Sequence, residues 1–407
     1  MAPHVVIVGA SLAGLRAAEA VLSALPRARV SLIGAEARVP YNRPPLSKEV
    51  AELLASPEAE VRDTAFARIG LRHRLPDDRV AWHLGIPAVG HDARARTVEL
   101  GDGRRVAYDW LVVATGLRPR RLAFAGLEAR RRVLRTFDDA TRLGAALSPG
   151  ARLLVVGAGF IGCEIAATAV GLGLSVSVVE PAAAPMRVAL GPEVGEAMAG
   201  FHRRHGVSVT CGVSVTGFTA TGATLSDGSA VDADVVVEAV GSIPNTDFLE
   251  GSSVDLSNGV LCDATMTAAG SRRILAVGDV ARFPNALFDD VPRRIEHWCV
   301  PGQTAKRAAE TIAAREQGGA PSGRFAPMPS FWSDQHGLRL QSFGAPFLGD
   351  EIAVLDGRLD RIGHEPCLVE YRRAGQPVGV LGLGVPPASI AAHRIRLERA
   401  LTETLAA

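Results

Sequence analysis

Cysteine is scarce and scattered in this chain. The five residues, Cys163, Cys211, Cys262, Cys299 and Cys367, include no close pair. That spacing argues against a disulfide framework, a zinc site and a redox-active dithiol. An excess of either charge is also missing, since 44 basic and 43 acidic residues leave a net +1. Neither a basic nucleic-acid footprint nor an acidic disordered tail is therefore expected. No uninterrupted apolar run approaches the roughly 20 residues of a membrane span. The apolar start, Val5-Val6-Ile7-Val8, lacks a basic leader and runs straight into a glycine motif. It reads as a first strand and not as a signal peptide. A cytoplasmic enzyme without nucleic-acid or membrane partners is the expectation.

What the chain does have is apolar residues, 47% of 407, mostly Ala, Val and Leu with few aromatics. The length predicts two or three domains. An approximate internal repeat organises them: VVIVGASLAG over residues 5–14 returns as LLVVGAGFIG over 153–162. Each run is followed by an alanine-rich stretch read as a helix, Leu15–Leu25 and Cys163–Gly171. A second strand then follows, Arg29–Ile33 and Ser175–Val179. The pattern is a βαβ unit used twice, which predicts an α/β fold with parallel sheets. Two further apolar strands, 109–116 and 233–241, end in Gly116 and Gly241 and are closely followed by Pro119 and Pro244. They read as crossings between domains. From about Pro321 the composition shifts toward an α+β segment with a last helix from Ser389.

The second glycine motif is a complete GxGxxG: Gly157, Gly159 and Gly162, with Phe160 and Ile161 between. The three glycines serve a tight turn, close backbone approach to a pyrophosphate, and close helix–strand packing. Glu180 follows about 20 residues on, where a carboxylate accepts ribose 2′-hydroxyl hydrogen bonds and repels a 2′-phosphate. NADH is thus expected over NADPH. The first motif, Gly9-Ala10-Ser11-Leu12-Ala13-Gly14, has Ser11 in place of the middle glycine. Taken alone, it is also compatible with an ordinary strand–turn–helix.

Further motifs resolve that choice by resemblance. Residues 39–48, VPYNRPPLSK, resemble a segment of oxygenase-coupled NADH-dependent ferredoxin reductases, FAD enzymes of the pyridine nucleotide-disulfide oxidoreductase superfamily. So do Ala114-Thr115-Gly116, Leu134-Arg135-Thr136, 276–281 (AVGDVA), 294–298 (RIEHW) and 331–335 (FWSDQ), covering essentially the whole chain in order. The resemblance implies two Rossmann-like domains of glutathione reductase type plus a small α+β C-terminal domain. It places FAD on 1–113 and 244–320, NADH on 114–243, and the last domain on 321–407. It further implies that Gly9, Ser11, Ala13, Gly14, Glu36, Arg43, Lys48, Ala88, Ala114, Thr115, Gly116, Arg135, Asp279 and Trp298 face FAD. Gly157, Gly159, Phe160, Ile161, Gly162, Glu180 and Gly241 would face NADH. Lys48 would lie near flavin N5, with Glu164 as its ion-pair partner beside the nicotinamide.

Departures from the family pattern are few. Ala35 stands where an acidic residue is usual, leaving Glu36 to meet the FAD ribose. Ala184 and Arg187 replace the usual arginine spacing after Glu180. Pro301 and Gly302 are expected to delay the helix after Trp298 or distort its first turn. The reading is an NADH:ferredoxin reductase, monomeric or homodimeric, serving a cytochrome P450 or Rieske oxygenase through an iron–sulfur ferredoxin. An NADH oxidase or tailoring flavoenzyme is the alternative, and an NADH-sensing binding protein ranks last.

Overall fold

The computed structural model describes residues 2–54 and 58–406, and the chain divides into two compact units. One comprises Met1–Asn42, Gly70–Arg118 and Ile243–Pro329; the other comprises Arg43–Ile69, Pro119–Ser242 and Ser330–Ala407.

In the first unit the apolar run His4–Val8 is the central strand of a five-stranded sheet, buried from Val5 onward. Arg29–Gly34 and Trp110–Val113 flank it, with Val80–Leu84 and Ile274–Ala276 outside, and every pairing is parallel. Sheets covered on both faces need continuous apolar strands, which is why these segments do not alternate. Val5, Val6, Ile7, Leu32 and Val112 are fully buried. Each such side chain contributes about 1.5–3 kcal/mol.

The second unit repeats the arrangement. Arg152–Val156 is central, between Ser175–Glu180 and Val235–Glu238, with Ser208–Cys211 and the two-residue strand Arg131–Arg132 at the edges. The repeat seen in sequence is thus a repeat of topology. Ligand crevices in such sheets open at the carboxyl end of the central strand, where crossovers leave to opposite sides. At one edge Glu238 is fully buried and binds Arg131 through Nη2 at 2.5 Å and Nε at 2.8 Å. Arg121 adds a third bond at 2.9 Å, so this buried carboxylate is well satisfied.

Helices Leu12–Ala24 and Phe160–Gly171 start three residues earlier than read from sequence. Ser11 and Gly159 hold the extended dihedrals of N-caps, so the last half of each glycine motif is already helical. The helix Val300–Glu316 corrects another expectation. It begins at Val300 without delay, Pro301 lies within its first two positions, and no non-helical residue interrupts it. Proline is tolerated there because a first-turn N–H has no intrahelical partner. This helix packs along Leu12–Ala24.

The C-terminal segment forms a five-stranded antiparallel sheet and the helix Pro387–Ala406, two residues longer at its start than read from Ser389. Both this layer and residues 43–69 belong to the second unit. The reason is one shared support. The turn Pro44–Ser47 and the strand Ser330–Gln335 both pack on helix Phe160–Gly171. That dependence is absent from local composition. Arg307 is buried, donating to the carbonyls of Ala264, Ser322 and Gly323.

Candidate functional site: two glycine cradles and a buried lysine–glutamate pair

The second unit builds its cradle where Val156 leaves the sheet. Gly157 has φ +99°, and a Cβ there would lie 2.4 Å from the Ala239 carbonyl oxygen. Only glycine fits both the dihedral and the space. A Cβ on Gly162 would meet the Gly157 carbonyl at 2.1 Å, which is the close helix–strand approach expected of the third glycine. Gly159 differs. Its Cβ position has nothing within 4 Å, so the N-terminus of helix Phe160–Gly171 faces open space, with Ile161 exposed beside it. Gly241 is equally open. Phe160 stacks at a tilt on Phe331, centroids 4.8 Å apart.

Glu180 ends its strand with both carboxylate oxygens engaged. One accepts the Ala158 N–H at 2.7 Å and the other the Ala182 N–H at 2.8 Å. A carboxylate offers about four acceptor positions. The two bonds therefore fix the group at the motif and still leave room for ribose hydroxyls.

The first unit's cradle has the same plan. Gly9 has φ +118°, with a Cβ position 2.1 Å from the Ala114 carbonyl oxygen, and Gly14 approaches the Gly9 carbonyl. Ser11 caps the helix in extended conformation. Ala13 is buried against Gly278, in the turn Gly278–Val280 that presents half-buried Asp279. The Gly278 N–H is held by Thr304 Oγ1 at 3.0 Å. Thr115 donates to the Asn245 carbonyl at 2.6 Å, and the Asn245 N–H binds the Gly116 carbonyl at 3.0 Å. Glu36 accepts the Tyr41 hydroxyl at 2.6 Å, and Trp298 donates to Asn42 at 2.8 Å while remaining 41% exposed. Ala88 lies half-buried in the strand Ala88–Asp92.

Lys48, Arg43 and Arg135, tied to FAD by resemblance, all fall in the second unit. Arg43 donates to the Arg135 carbonyl at 2.5 Å. Lys48 Nζ is 2.9 Å from Glu164 Oε1, their side chains 15% and 7% exposed. Sequence reasoning paired these two and missed what else holds Glu164. Ser47 donates to Oε2 at 2.5 Å and Ser333 to Oε1 at 2.6 Å. The available signal was Ser333 and Gln335 sharing one strand face within the segment 331–335; both are fully buried.

Among the described residues, none of the five cysteines forms a disulfide. Burial, reinforced by Glu164, pushes the Cys163 thiol well above its ordinary range, so it is no thiolate at neutral pH. Among the described residues, no cluster could hold a metal ion and no helix is long and apolar enough to cross a membrane.

Two parallel sheets, each with a glycine cradle beyond its central strand, are the architecture of a dinucleotide-binding protein. Residues 3–317 match the pyridine nucleotide-disulphide oxidoreductase family. The ferredoxin–NAD(+) reductase component of the p-cumate 2,3-dioxygenase system of Pseudomonas putida is 36% identical over 84% of this chain and 81% of its own. The corresponding component of the anthranilate 1,2-dioxygenase system of Burkholderia cepacia is 35% identical over 97% and 91%. A covalent putidaredoxin reductase–putidaredoxin complex superposes with TM-score 0.85 at 30% identity, covering 97% of this chain and 93% of that one. The chain belongs to the pyridine nucleotide-disulphide oxidoreductase family, among its ferredoxin–NAD(+) reductases.

Proposed function

We propose that this protein oxidises NADH and passes the electrons through FAD to a small iron–sulfur ferredoxin serving a cytochrome P450 or Rieske oxygenase. The first unit's sheet holds FAD and the second's holds NADH, in the cytoplasm. One observation carries the reading. A nucleotide cradle and a buried lysine–glutamate pair share the helix Phe160–Gly171, in a chain with no cysteine pair to take electrons instead. The ferredoxin–NAD(+) reductase names of the relatives supply the acceptor class.

The cradles fit their groups. The open volume at Gly159, in front of a helix N-terminus, suits a pyrophosphate, which the helix dipole and free N–H groups stabilise. Bound FAD supplies a two-electron acceptor that can release electrons singly. The protein's own residues bind and orient. Asp279 would accept hydroxyl hydrogen bonds beside the first cradle, and Glu36 likewise at its ribose end. Among the described residues three donors reach Glu164, two on Oε1 and one on Oε2, leaving an acceptor position on Oε2 for a carboxamide N–H. Lys48 contributes a fixed positive charge where negative charge would develop.

Purified protein should be yellow, bleach under anaerobic NADH, and reduce cytochrome c only when a ferredoxin is added. A colourless protein that takes up no FAD overturns the proposal, and rapid oxygen consumption indifferent to ferredoxin overturns its acceptor. Glu180→Ala should cost NADH its preference over NADPH by about tenfold in kcat/KM, roughly 1.4 kcal/mol. An unchanged ratio would remove Glu180 from the ribose.

A further inference from the structure

Behind Glu164 lies a line of buried polar groups that hydride transfer does not itself require. Ser333, whose hydroxyl donates to Glu164 Oε1, accepts in turn from Gln335 Nε2 at 2.9 Å. Gln335 Oε1 lies 2.8 Å from His202 Nε2, and His202 Nδ1 lies 3.1 Å from His336 Nε2. Ser333 and Gln335 are fully buried and His202 is 1% exposed. The four residues come from helix Arg187–Arg204 and from the strand and turn at 330–336, all within the second unit.

We propose that Ser333, Gln335 and His202 are positioning residues that hold the Glu164 carboxylate against Lys48, with His336 closing the outer end of the chain. The inference rests on the reading that the Lys48–Glu164 pair serves the NADH half-reaction.

The donors and acceptors give the chain one direction. The amide oxygen of Gln335 can only accept, so His202 carries its proton on Nε2. Neutral His202 then presents Nδ1 as an acceptor, which the Nε2–H of His336 fills. Gln335 donates to Ser333, which commits the single Ser333 proton to Glu164. Every proton therefore points inward, toward the carboxylate. Burial lowers His202 from the ordinary imidazole range, which keeps it in the neutral form the chain needs. His336 is pushed down to about 4 by burial and by His202 and His205, the latter stacked on it with centroids 4.5 Å apart. Arg204, 6.0 Å from the centre of the Phe201 ring, is anchored to the Ile362 carbonyl.

The energetic argument is that of a satisfied buried network. Each member is ordered by its neighbours, and removing one leaves another buried group unpaired. Loss of the Ser333 proton would leave Glu164 Oε1 held by Lys48 alone, so that the carboxylate and the ammonium could shift together. A displacement of a fraction of an ångström at a positioning group is enough to slow a step that depends on near-attack geometry.

The test uses full-length holoenzyme, with flavin bleaching by NADH followed in stopped flow. Ser333→Ala and His202→Phe should each lower the saturating rate about fivefold to tenfold. The NADH concentration at half-saturation should stay within twofold, and reduction by dithionite should be unchanged. His202→Gln, which keeps a donor toward Gln335, should recover most of the rate. A merely structural role would lower the melting temperature and leave the saturating rate intact, and that result overturns the proposal. Glu164→Gln separates the two levels. If it slows bleaching while Ser333→Ala and His202→Phe do not, the chain is refuted and the pair stands. If Glu164→Gln is also without effect, the reading of the pair falls first, and the chain with it.

Discussion

Gly157→Ala should abolish NADH-driven turnover and lower the melting temperature, whereas Gly159→Ala should weaken NADH binding at unchanged stability. The contrast follows from what a methyl group would meet at each place. At Gly157 it meets the Ala239 carbonyl oxygen at 2.4 Å and forces an L-residue to φ +99°. The dihedral alone costs about 1–3 kcal/mol, and the overlap adds about as much again. In a unit of this size that corresponds to a fall of about 4–24 °C. At Gly159 the dihedral is ordinary, φ −73°, and nothing lies within 4 Å. A methyl group there is harmless until a pyrophosphate arrives. Thermal scans of both variants, with NADH titrations of flavin bleaching, check the pair. An unaltered NADH dependence in Gly159→Ala would show that no phosphate approaches that backbone.

Glu164→Leu should lower turnover on the order of 100-fold, a size usual for a lost polar group at a reacting centre. It should also destabilise the protein. The substitution leaves the Lys48 ammonium, 15% exposed, without its carboxylate, takes the acceptor from the Ser333 hydroxyl, and leaves Ser47 only its longer bond to the Pro44 carbonyl at 3.3 Å. Breaking a buried pair on one side costs about 3–5 kcal/mol, but replacing both partners by apolar groups is often close to neutral. Lys48→Met combined with Glu164→Leu should therefore regain much of the lost stability and none of the turnover. Melting temperatures and steady-state rates of the three variants decide it. A double variant that turns over at the wild-type rate would dismiss the pair from the reaction.

How much of this was legible in the sequence depends on distance along the chain. The cradles were legible, because a strand, a glycine turn and a helix N-terminus are settled within about ten residues. Their helices still began earlier than read, since glycines that look like a turn serve as cap and first turn. Pro301 was over-read as a disruption: proline in a first helical turn and proline in a helix interior look alike until the start is known. The Lys48–Glu164 pair came only through family resemblance, as its members lie 116 positions apart with nothing local to join them. Ser333 was quoted within a motif, yet its bond to Glu164 spans 169 positions and depends on one helix supporting both segments. Residues 43–69 joined the second unit for the same reason.

The strand Arg131–Arg132 has a consequence beyond anchoring the second sheet. A sheet edge displays unpaired backbone groups that invite any passing strand to add itself. Here that edge is two residues long, and its first arginine is turned inward and fastened to Glu238. A foreign strand would find too short a ladder to pair with, and displacing Arg131 to lengthen it would strand a buried carboxylate. At this edge, therefore, an added strand would gain few backbone bonds and would have to break the Arg131–Glu238 ion pair to gain more.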